Sequence, residues 1–243
     1  MPQGVAQQAR LSRHWRMVSE RLFAALGLVS LAMALGTFIV LFGDLLIDGL
    51  PRIDWQFLTS FPSRRAAEAG ILPAWVGTTL VMAVTVAVGV PLGVAAGIYL
   101  EEYARKHWVT DIIEVTVTNL AGVPSIIYGL LALSLFVYML GMGESIAAAG
   151  LTLALLILPV IITSTREAIR AVPQDIREAS YALGATKWQT VIHHVLAYST
   201  PGILTGVILA LSRAIGETAP VITIGALTFI AFLPPAPFTT EPP

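Results

Sequence analysis

The sequence predicts an all-α fold, a polytopic transmembrane helix bundle. Its composition, its hydropathy and the length of its apolar runs support this prediction. The chain has 243 residues, of which 56% are hydrophobic and 12% are charged, and its mean hydropathy is +0.80. Soluble domains carry about 25% charged residues. A chain with so few charges is expected to fold in lipid, where a helix of about 20 apolar residues crosses the hydrocarbon core.

Five apolar runs have the length of a membrane span. They extend from about Leu22 to Gly43, from about Pro73 to Leu100, within Thr116–Leu140, within Ile146–Thr165, and from about Pro201 to Leu227. Prolines interrupt several runs, and a packed bundle tolerates them because neighbouring helices satisfy the freed backbone groups. The second run carries Gly89, Gly93 and Gly97 at a spacing that permits close helix packing but also arises by chance in apolar sequences.

Basic residues orient the predicted bundle. Those in the N-terminal tail, the second loop and the fourth loop are Arg10, Arg13, Arg16, Arg21, Arg105, Lys106, Arg166, Arg170, Arg177 and Lys187. The opposite loops hold Arg52, Arg64 and Arg65. Because cytoplasmic loops carry the excess of Lys and Arg, we expect residues 1–21 to form a cytoplasmic tail. Residues 22–72 would then be a first transmembrane helix, retained as a signal anchor, with its external loop.

The end of the chain is polar and rich in proline over residues 231–243. By alternation this stretch is external, and its composition is that of a loop. We therefore expect a final span to be absent from this chain, either by truncation or because it is encoded elsewhere.

The fourth loop, about residues 170–198, predicts a helix, a turn and a second helix at the cytoplasmic surface. Pro173 suits the first turn of a helix, and Gly184 suits its left-handed end. Thr186 and Gln189 have the spacing of a capping box for the next helix. A short, partly apolar helix outside the membrane either docks in a groove of another protein or rests on lipid.

The sequence Glu178-Ala179-Ser180, followed by Gly184, resembles the EAA loop of ABC-importer permeases. Ser180 stands where the family has a second alanine, and Val195-Leu196-Ala197 lacks the family's proline. The resemblance implies a MetI-like permease fold, in which a sixth span is expected from the family. It also implies that this loop docks on an ATPase subunit.

The same resemblance implies which residues couple the chain to the ATPase. They are Glu178, Ala179 and Gly184, with Arg177 beside them. The small residues would allow another protein's surface to come close.

Three further motifs indicate which group of ABC-importer permeases the sequence resembles. They are residues 98–104 (IYLEEYA), 119–129 (NLAGVPSIIYG) and 213–220 (RAIGETAP). They resemble the permeases of phosphate-specific transport, and the A-type (PstA) more than the C-type, over about residues 77–226. The resemblance implies a permease core over residues 73–230. The implied partners are a PstB-like ATPase dimer that binds ATP and Mg, a PstC-like second permease, a PstS-like phosphate-binding protein and membrane lipid.

Arg213 and Glu217 are four residues apart within an apolar run, and therefore face the same side of a helix. Charges inside a membrane persist when they are paired, hydrated or functional. The pair is either a structural salt bridge or a polar patch on the phosphate pathway, since a guanidinium suits phosphate oxygens. The resemblance to phosphate permeases implies that Arg213 and Glu217 have a functional role in transport.

Asn119 and Ser125 flank Gly122 and Pro124, which are expected to break a helix. A broken helix directs free N–H groups toward a cavity and suits an anion. A proline kink that serves packing is the alternative. Asn119 and Ser125 are kept as further candidates for the substrate pathway.

Several function classes are excluded or left as alternatives. The net charge of -1 does not indicate nucleic-acid binding, and the absence of cysteine rules out thiolate metal sites. Asp44, Asp48 and Asp54 match no metal-binding loop and are expected to be a solvated rim. The sequence lacks GxxxxGK[ST], so we expect a non-catalytic subunit without a cofactor of its own. Another oxyanion as substrate, or a secondary anion carrier, remains an alternative to phosphate import.

Overall fold

The computed structural model describes residues 2–65, 67–105 and 107–225, and the side chains among them from residue 19 onward. Every regular element in these ranges is helical, which confirms the all-α prediction. The proline-rich end, predicted to be external, lies outside the described residues.

The helices are numbered in chain order. They are α1 (Pro2–Gly49), α2 (Trp55–Thr59), α3 (Leu72–Ile98), α4 (Trp108–Leu120), α5 (Ser125–Ala132), α6 (Ile146–Arg170), α7 (Gln174–Ala182), α8 (Lys187–Thr190), α9 (Leu196–Ile215) and α10 (Ala219–Thr223). A 3-10 turn, Leu50–Arg52, follows α1. Wider π-helical turns extend α3 over Tyr99–Tyr103 and α5 over Leu133–Met139, and Val191–Val195 joins α8 to α9.

Four helical segments of the described chain are long and apolar enough to cross a membrane. They are Ser19–Arg52, Leu72–Tyr103, Ile146–Arg170 and Lys187–Ile215. A bent pair, Trp108–Leu120 with Ser125–Met139, makes a fifth if it counts as one span. Each of the five predicted runs overlaps one of these segments, and two of the runs need correction.

The third predicted span is a broken one. Helices α4 and α5 meet at an angle of 107°, and α5 begins at Ser125 directly after Pro124, as the sequence predicts. Pro124 adopts an extended conformation with ψ 135. The chain turns over residues 121–123, where the N–H groups of Gly122 and Val123 bond to the last carbonyls of α4.

The fifth predicted span begins and ends earlier than Pro201–Leu227. The helix starts at Lys187 and runs through the π-helical turn into α9, which ends at Ile215. Polar side chains such as His193 and His194 lower the hydropathy of its first turns without interrupting its backbone. Between Gly216 and residue 225, where the described part of the chain ends, the short helix α10 is the one regular element.

The chain divides into two units, Met1–Thr59 and Ser60–Pro243. In the first unit, the rings of Phe38 and Phe42 stack along α1 with centroids 5.7 Å apart. Asp54 Oδ1 accepts a hydrogen bond of 2.7 Å from the N–H of Phe57 and so starts α2.

The core of the second unit is the contact between α3 and α6. Gly89, Gly93 and Gly97 are all buried in it, and a Cβ added at Gly93 would lie 2.7 Å from Ile161 Cγ2. The glycine row therefore permits the close approach that its spacing predicts. The hydroxyl of Thr85 donates to the Gly150 carbonyl at 3.1 Å and ties the two helices together.

Helix α9 also packs on α6. Ile157 and Ile161 of α6 share a buried cluster with Val207, Ala210 and Ala214 of α9. Helix α6 is therefore the central helix of this unit, and it connects the glycine face of α3 with the helix that carries Arg213.

Candidate functional site

The loop after α6 folds as the sequence predicts. Pro173 is the residue that precedes α7, with ψ 140, rather than a residue of its first turn. Gly184 has φ +83 and ends the helix, a conformation that glycine adopts without strain. Thr186 and Gln189 form a complete capping box at the start of α8.

Helix α7 has one face against the core. Ile176 packs on the buried side chains of Ile169, Val172 and Val195. Ser180, which replaces the second alanine of the EAA pattern, is buried and shares a 2.9 Å hydrogen bond with the hydroxyl of Thr190. This hydrogen bond is a physical reason for a serine, rather than an alanine, at this position of the EAA pattern.

The opposite side of the loop is exposed. Glu178, Ala179 and Gly184 are all exposed, as residues that contact another protein would be. Three large side chains extend this surface: Tyr181, Leu183 and Trp188 are 45%, 89% and 64% exposed. We call the surface formed by these six residues the docking patch.

Arg177, the fourth predicted coupling residue, points inward. Its guanidinium donates to the Glu102 carboxylate and, through Nη2, to the Ile169 carbonyl at 3.0 Å. The side chain of Glu102 is 5% exposed and that of Arg177 is 16% exposed. This is a buried ion pair between α7 and the end of the α3 segment.

A second set of ion pairs lies beside it. Arg166 Nε donates to Glu101 at 3.2 Å, and its Nη2 donates to Glu114 of α4. Arg170 donates to the same Glu101 carboxylate, with Nη2 2.9 Å from Oε2. Together with Arg177 and Glu102, these residues form what we call the charge cluster.

The charge cluster was missed at the level of sequence. Arg166 and Arg170 were used only to orient the bundle, and Arg177 was in addition predicted to contact the ATPase. The available signal was the adjacent pair Glu101 and Glu102 at the end of a span, because carboxylates near the end of an apolar helix require partners.

The two charged candidates for the substrate pathway form an ion pair, although not within one helix as predicted. Arg213 lies in the last turn of α9, and Glu217 follows Gly216 beyond the helix end. Arg213 Nε is 3.4 Å from Glu217 Oε1, and the two side chains are 43% and 19% exposed. The four-residue spacing keeps them together despite the helix end.

The chain after Glu217 returns to the broken helix pair. A Cβ added at Gly129 of α5 would lie 2.7 Å from Pro220 Cα and closer still to Thr223 Oγ1, so α10 packs directly on α5. Tyr128 of α5 packs against the buried cluster that contains Ala214 of α9, the residue next to Arg213. The ion pair and the helix break therefore lie in one region.

Asn119 and Ser125 stand on either side of the break. Asn119 is in the last turn of α4, where its carbonyl accepts from the Gly122 N–H at 3.0 Å. Ser125 is the first residue of α5. The hydroxyl of Tyr128 donates to the Leu120 carbonyl at 2.8 Å and so bridges the two helices across the break.

No cluster of three or more metal-ligating side chains occurs among the described residues. Asp44 and Asp48, predicted to lie in the first external loop, are in the last turns of α1, and neither they nor Asp54 belong to such a group.

Comparison with known proteins identifies the class. The family of binding-protein-dependent transport system inner membrane components matches residues 89–236, more than half of the chain. The chain belongs to this family, and its apolar helices are those of a multi-pass inner-membrane protein. The predicted all-α, MetI-like ABC-permease fold is confirmed.

Relatives place the chain within the family. It is 34% identical over 213 residues to the probable ABC transporter permease protein YqgI of Bacillus subtilis, covering 88% of this chain and 72% of the relative. It is 33% identical over 221 residues to the phosphate transport system permease protein PstA of Yersinia pestis, covering 89% and 73%. The resemblance to PstA permeases is thereby confirmed.

A third relative is the phosphate transport system permease protein PstA 1 of Mycobacterium tuberculosis (strain CDC 1551 / Oshkosh). Identity reaches 41% over 155 residues, 64% of this chain and 51% of that protein. The matched region thus spans about half the length of this relative.

Proposed function

We propose that the chain is the transmembrane permease subunit of an ATP-driven importer that carries inorganic phosphate across the cytoplasmic membrane. The observation that carries the proposal is the Arg213–Glu217 ion pair beside the broken α4–α5 pair. The similarity to proteins named as phosphate transport permeases supports phosphate as the substrate.

The ion pair has the chemistry of a transient phosphate contact. A guanidinium offers a planar set of donors that suits phosphate oxygens. Arg213 is 43% exposed, so its free donors are accessible to an anion. Glu217 competes for the same guanidinium and can accept a hydrogen bond from a protonated phosphate oxygen. This competition keeps binding weak enough for release, as a permeation path requires.

The docking patch is the proposed contact with the ATPase. Its large exposed side chains on a short, capped helix fit a helix seated in another protein's groove. A PstB-like ATPase dimer would bind ATP and Mg and hydrolyse ATP, because this sequence has no phosphate-binding loop. This chain is then a non-catalytic subunit without its own cofactor.

The remaining partners follow from the same proposal. A PstC-like permease completes the translocation unit, and a PstS-like protein delivers phosphate from outside. The N-terminus, the charge cluster and the docking patch face the cytoplasm, in agreement with the distribution of basic residues. ATP binding closes the ATPase dimer and opens the permease pair outward, an alternating-access cycle.

The test is ATP-dependent uptake of labelled phosphate into vesicles that contain the complete transporter, with binding protein added outside. Arg213→Leu is expected to abolish uptake while the complex still assembles. Arg65→Leu is the matched control, because Arg65 forms an exposed surface pair with Glu68. Loss of assembly with Arg213→Leu would show a structural salt bridge instead.

Two further arms address the alternatives. Competition by sulfate at the same concentration as phosphate would indicate a different or broader oxyanion specificity. Uptake by this chain alone, without ATP or an ATPase, would indicate a secondary anion carrier.

A further inference from the structure

The Arg177–Glu102 ion pair joins three segments through one side chain. Arg177 belongs to α7, Glu102 to the end of the α3 segment, and Ile169, whose carbonyl Arg177 also contacts, to the last turn of α6. Arg177 Nε is buried without a hydrogen-bond partner. Glu102 and the Ile169 carbonyl therefore carry the polar contacts of this guanidinium.

Burial makes this contact hard to break. The Glu102 side chain is 5% exposed, so the carboxylate would be left nearly without solvent if Arg177 moved away. Breaking a buried pair by removing one partner is strongly destabilising, whereas exposed pairs contribute little. The carboxylate therefore holds α7 in place for as long as both charges are present.

The rest of the charge cluster does not reach α7. Arg166 joins α6 to Glu101 and to Glu114 of α4, and Arg170 joins α6 to Glu101. Within the part of the chain that the structure describes, Arg177–Glu102 is the ion pair that includes a residue of α7. The other ion pairs of the charge cluster thus connect the α3 segment, α4 and α6 to one another. The Arg177–Glu102 pair connects these helices to α7, which we call the loop helix.

The helices that receive this attachment are closely packed. Gly93 and Gly97 bring α3 against Ile161 and Thr165 of α6, with little space between the helices. Closely packed interiors transmit displacement because they do not compress easily. Ile161 also packs in the cluster that contains Ala214, next to Arg213.

We propose that Arg177 is a positioning residue that fastens the loop helix to the α3–α6 pair through Glu102, so that movement of the docking patch moves the transmembrane core. This inference rests on the proposed function. It assigns Arg177 to the inside of the permease rather than to the surface that meets the ATPase. Without the pair, the ATPase would still dock and hydrolyse ATP, but less of its movement would reach the core.

The experiment measures ATP hydrolysis and phosphate uptake in the same vesicles, with the complete transporter and its binding protein. Arg177→Ala and Glu102→Gln are each expected to keep ATP hydrolysis and lower phosphate taken up per ATP at least tenfold. The double variant Arg177→Glu with Glu102→Arg restores opposite charges and is expected to recover uptake per ATP to within twofold of wild type. A merely structural role would not change this ratio.

Arg170→Ala is the matched control. It removes another arginine of the charge cluster, one that pairs with Glu101 and Glu167 but not with α7. Its uptake per ATP is expected to stay within twofold of wild type. An equal loss in Arg170→Ala and Arg177→Ala would overturn the special role of Arg177.

The outcomes separate the inference from the proposed function. If the wild-type complex takes up no phosphate, the proposed function fails. If it does, and both single variants keep their uptake per ATP, only the linkage is wrong. If the single variants do not assemble, the double variant decides: recovery within twofold supports the linkage, and a tenfold loss overturns it.

Discussion

The side-chain hydroxyls of Ser180 and Thr190 lie 2.9 Å apart and both residues are buried, which joins the loop helix α7 to the end of α8. Ser180 occupies a position where the EAA pattern has alanine. Serine at this position therefore allows a buried polar interaction that an alanine side chain cannot form.

Ser180→Ala is expected to destabilise the protein by about 1–3 kcal/mol, because the Thr190 hydroxyl is left buried without this partner. Thermal unfolding of the purified protein in detergent measures the change. Combining Ser180→Ala with Thr190→Val removes both polar groups and is expected to recover most of the loss. A single variant as stable as wild type would contradict the importance of this hydrogen bond.

Gly93→Ala is expected to reduce the folded yield sharply. The new Cβ would lie 2.7 Å from Ile161 Cγ2, closer than real contacts allow. Gly77→Ala in the same helix is the control, since nothing lies within 4 Å of its Cβ position. Size-exclusion chromatography separates folded from aggregated protein. Adding Ile161→Ala makes room and is expected to restore part of the yield, which a defect unrelated to packing would not allow.

Leu183→Ser is expected to weaken association with the ATPase about tenfold without lowering the stability of the permease. Leu183 is 89% exposed, so its removal leaves no cavity, and a buried anchor at an interface contributes more than 1 kcal/mol. Co-purification of the ATPase measures association. Leu50→Ser, at another exposed leucine, is the control. Unchanged association would mean that the docking patch meets lipid or solvent.

Tyr128→Phe is expected to lower phosphate uptake several-fold. The hydroxyl bridges the broken helix pair through the Leu120 carbonyl. Its loss removes a hydrogen bond that contributes about 0.5–1.5 kcal/mol to the stability of this arrangement of α4 and α5. Uptake rates at several phosphate concentrations measure the effect. Tyr138→Phe is the control, because Tyr138 is 75% exposed near the end of the α5 segment. Equal uptake by the Tyr128 and Tyr138 variants would show that the hydrogen bond across the helix break does not affect transport.

Local sequence signals predicted the local features well. Apolar runs located the spans, Pro124 marked the start of α5, and Gly184 with Thr186 marked the turn between α7 and α8. Each of these features depends on residues that are close together along the chain. Backbone restriction at proline, freedom at glycine and capping all act within a few residues.

Features that depend on distant residues were not predicted. Arg177 is 75 residues from Glu102 in sequence, and their pairing depends on how α3 and α6 align along the glycine face. The early start of the last span was missed because hydropathy reports solvent preference, whereas a helix continues through polar residues when its hydrogen bonds are intact.

The segment from Lys187 to Ile215 is a helical rod of 29 residues, about 43 Å long at about 1.5 Å per residue. One end carries Trp188 of the docking patch and the other carries Arg213. A tilt of about 5° around one end displaces the other by about 4 Å, more than the length of a hydrogen bond. A small rotation at the docking patch would thus be amplified along this helix, and the groups that surround the guanidinium at its far end would shift with it.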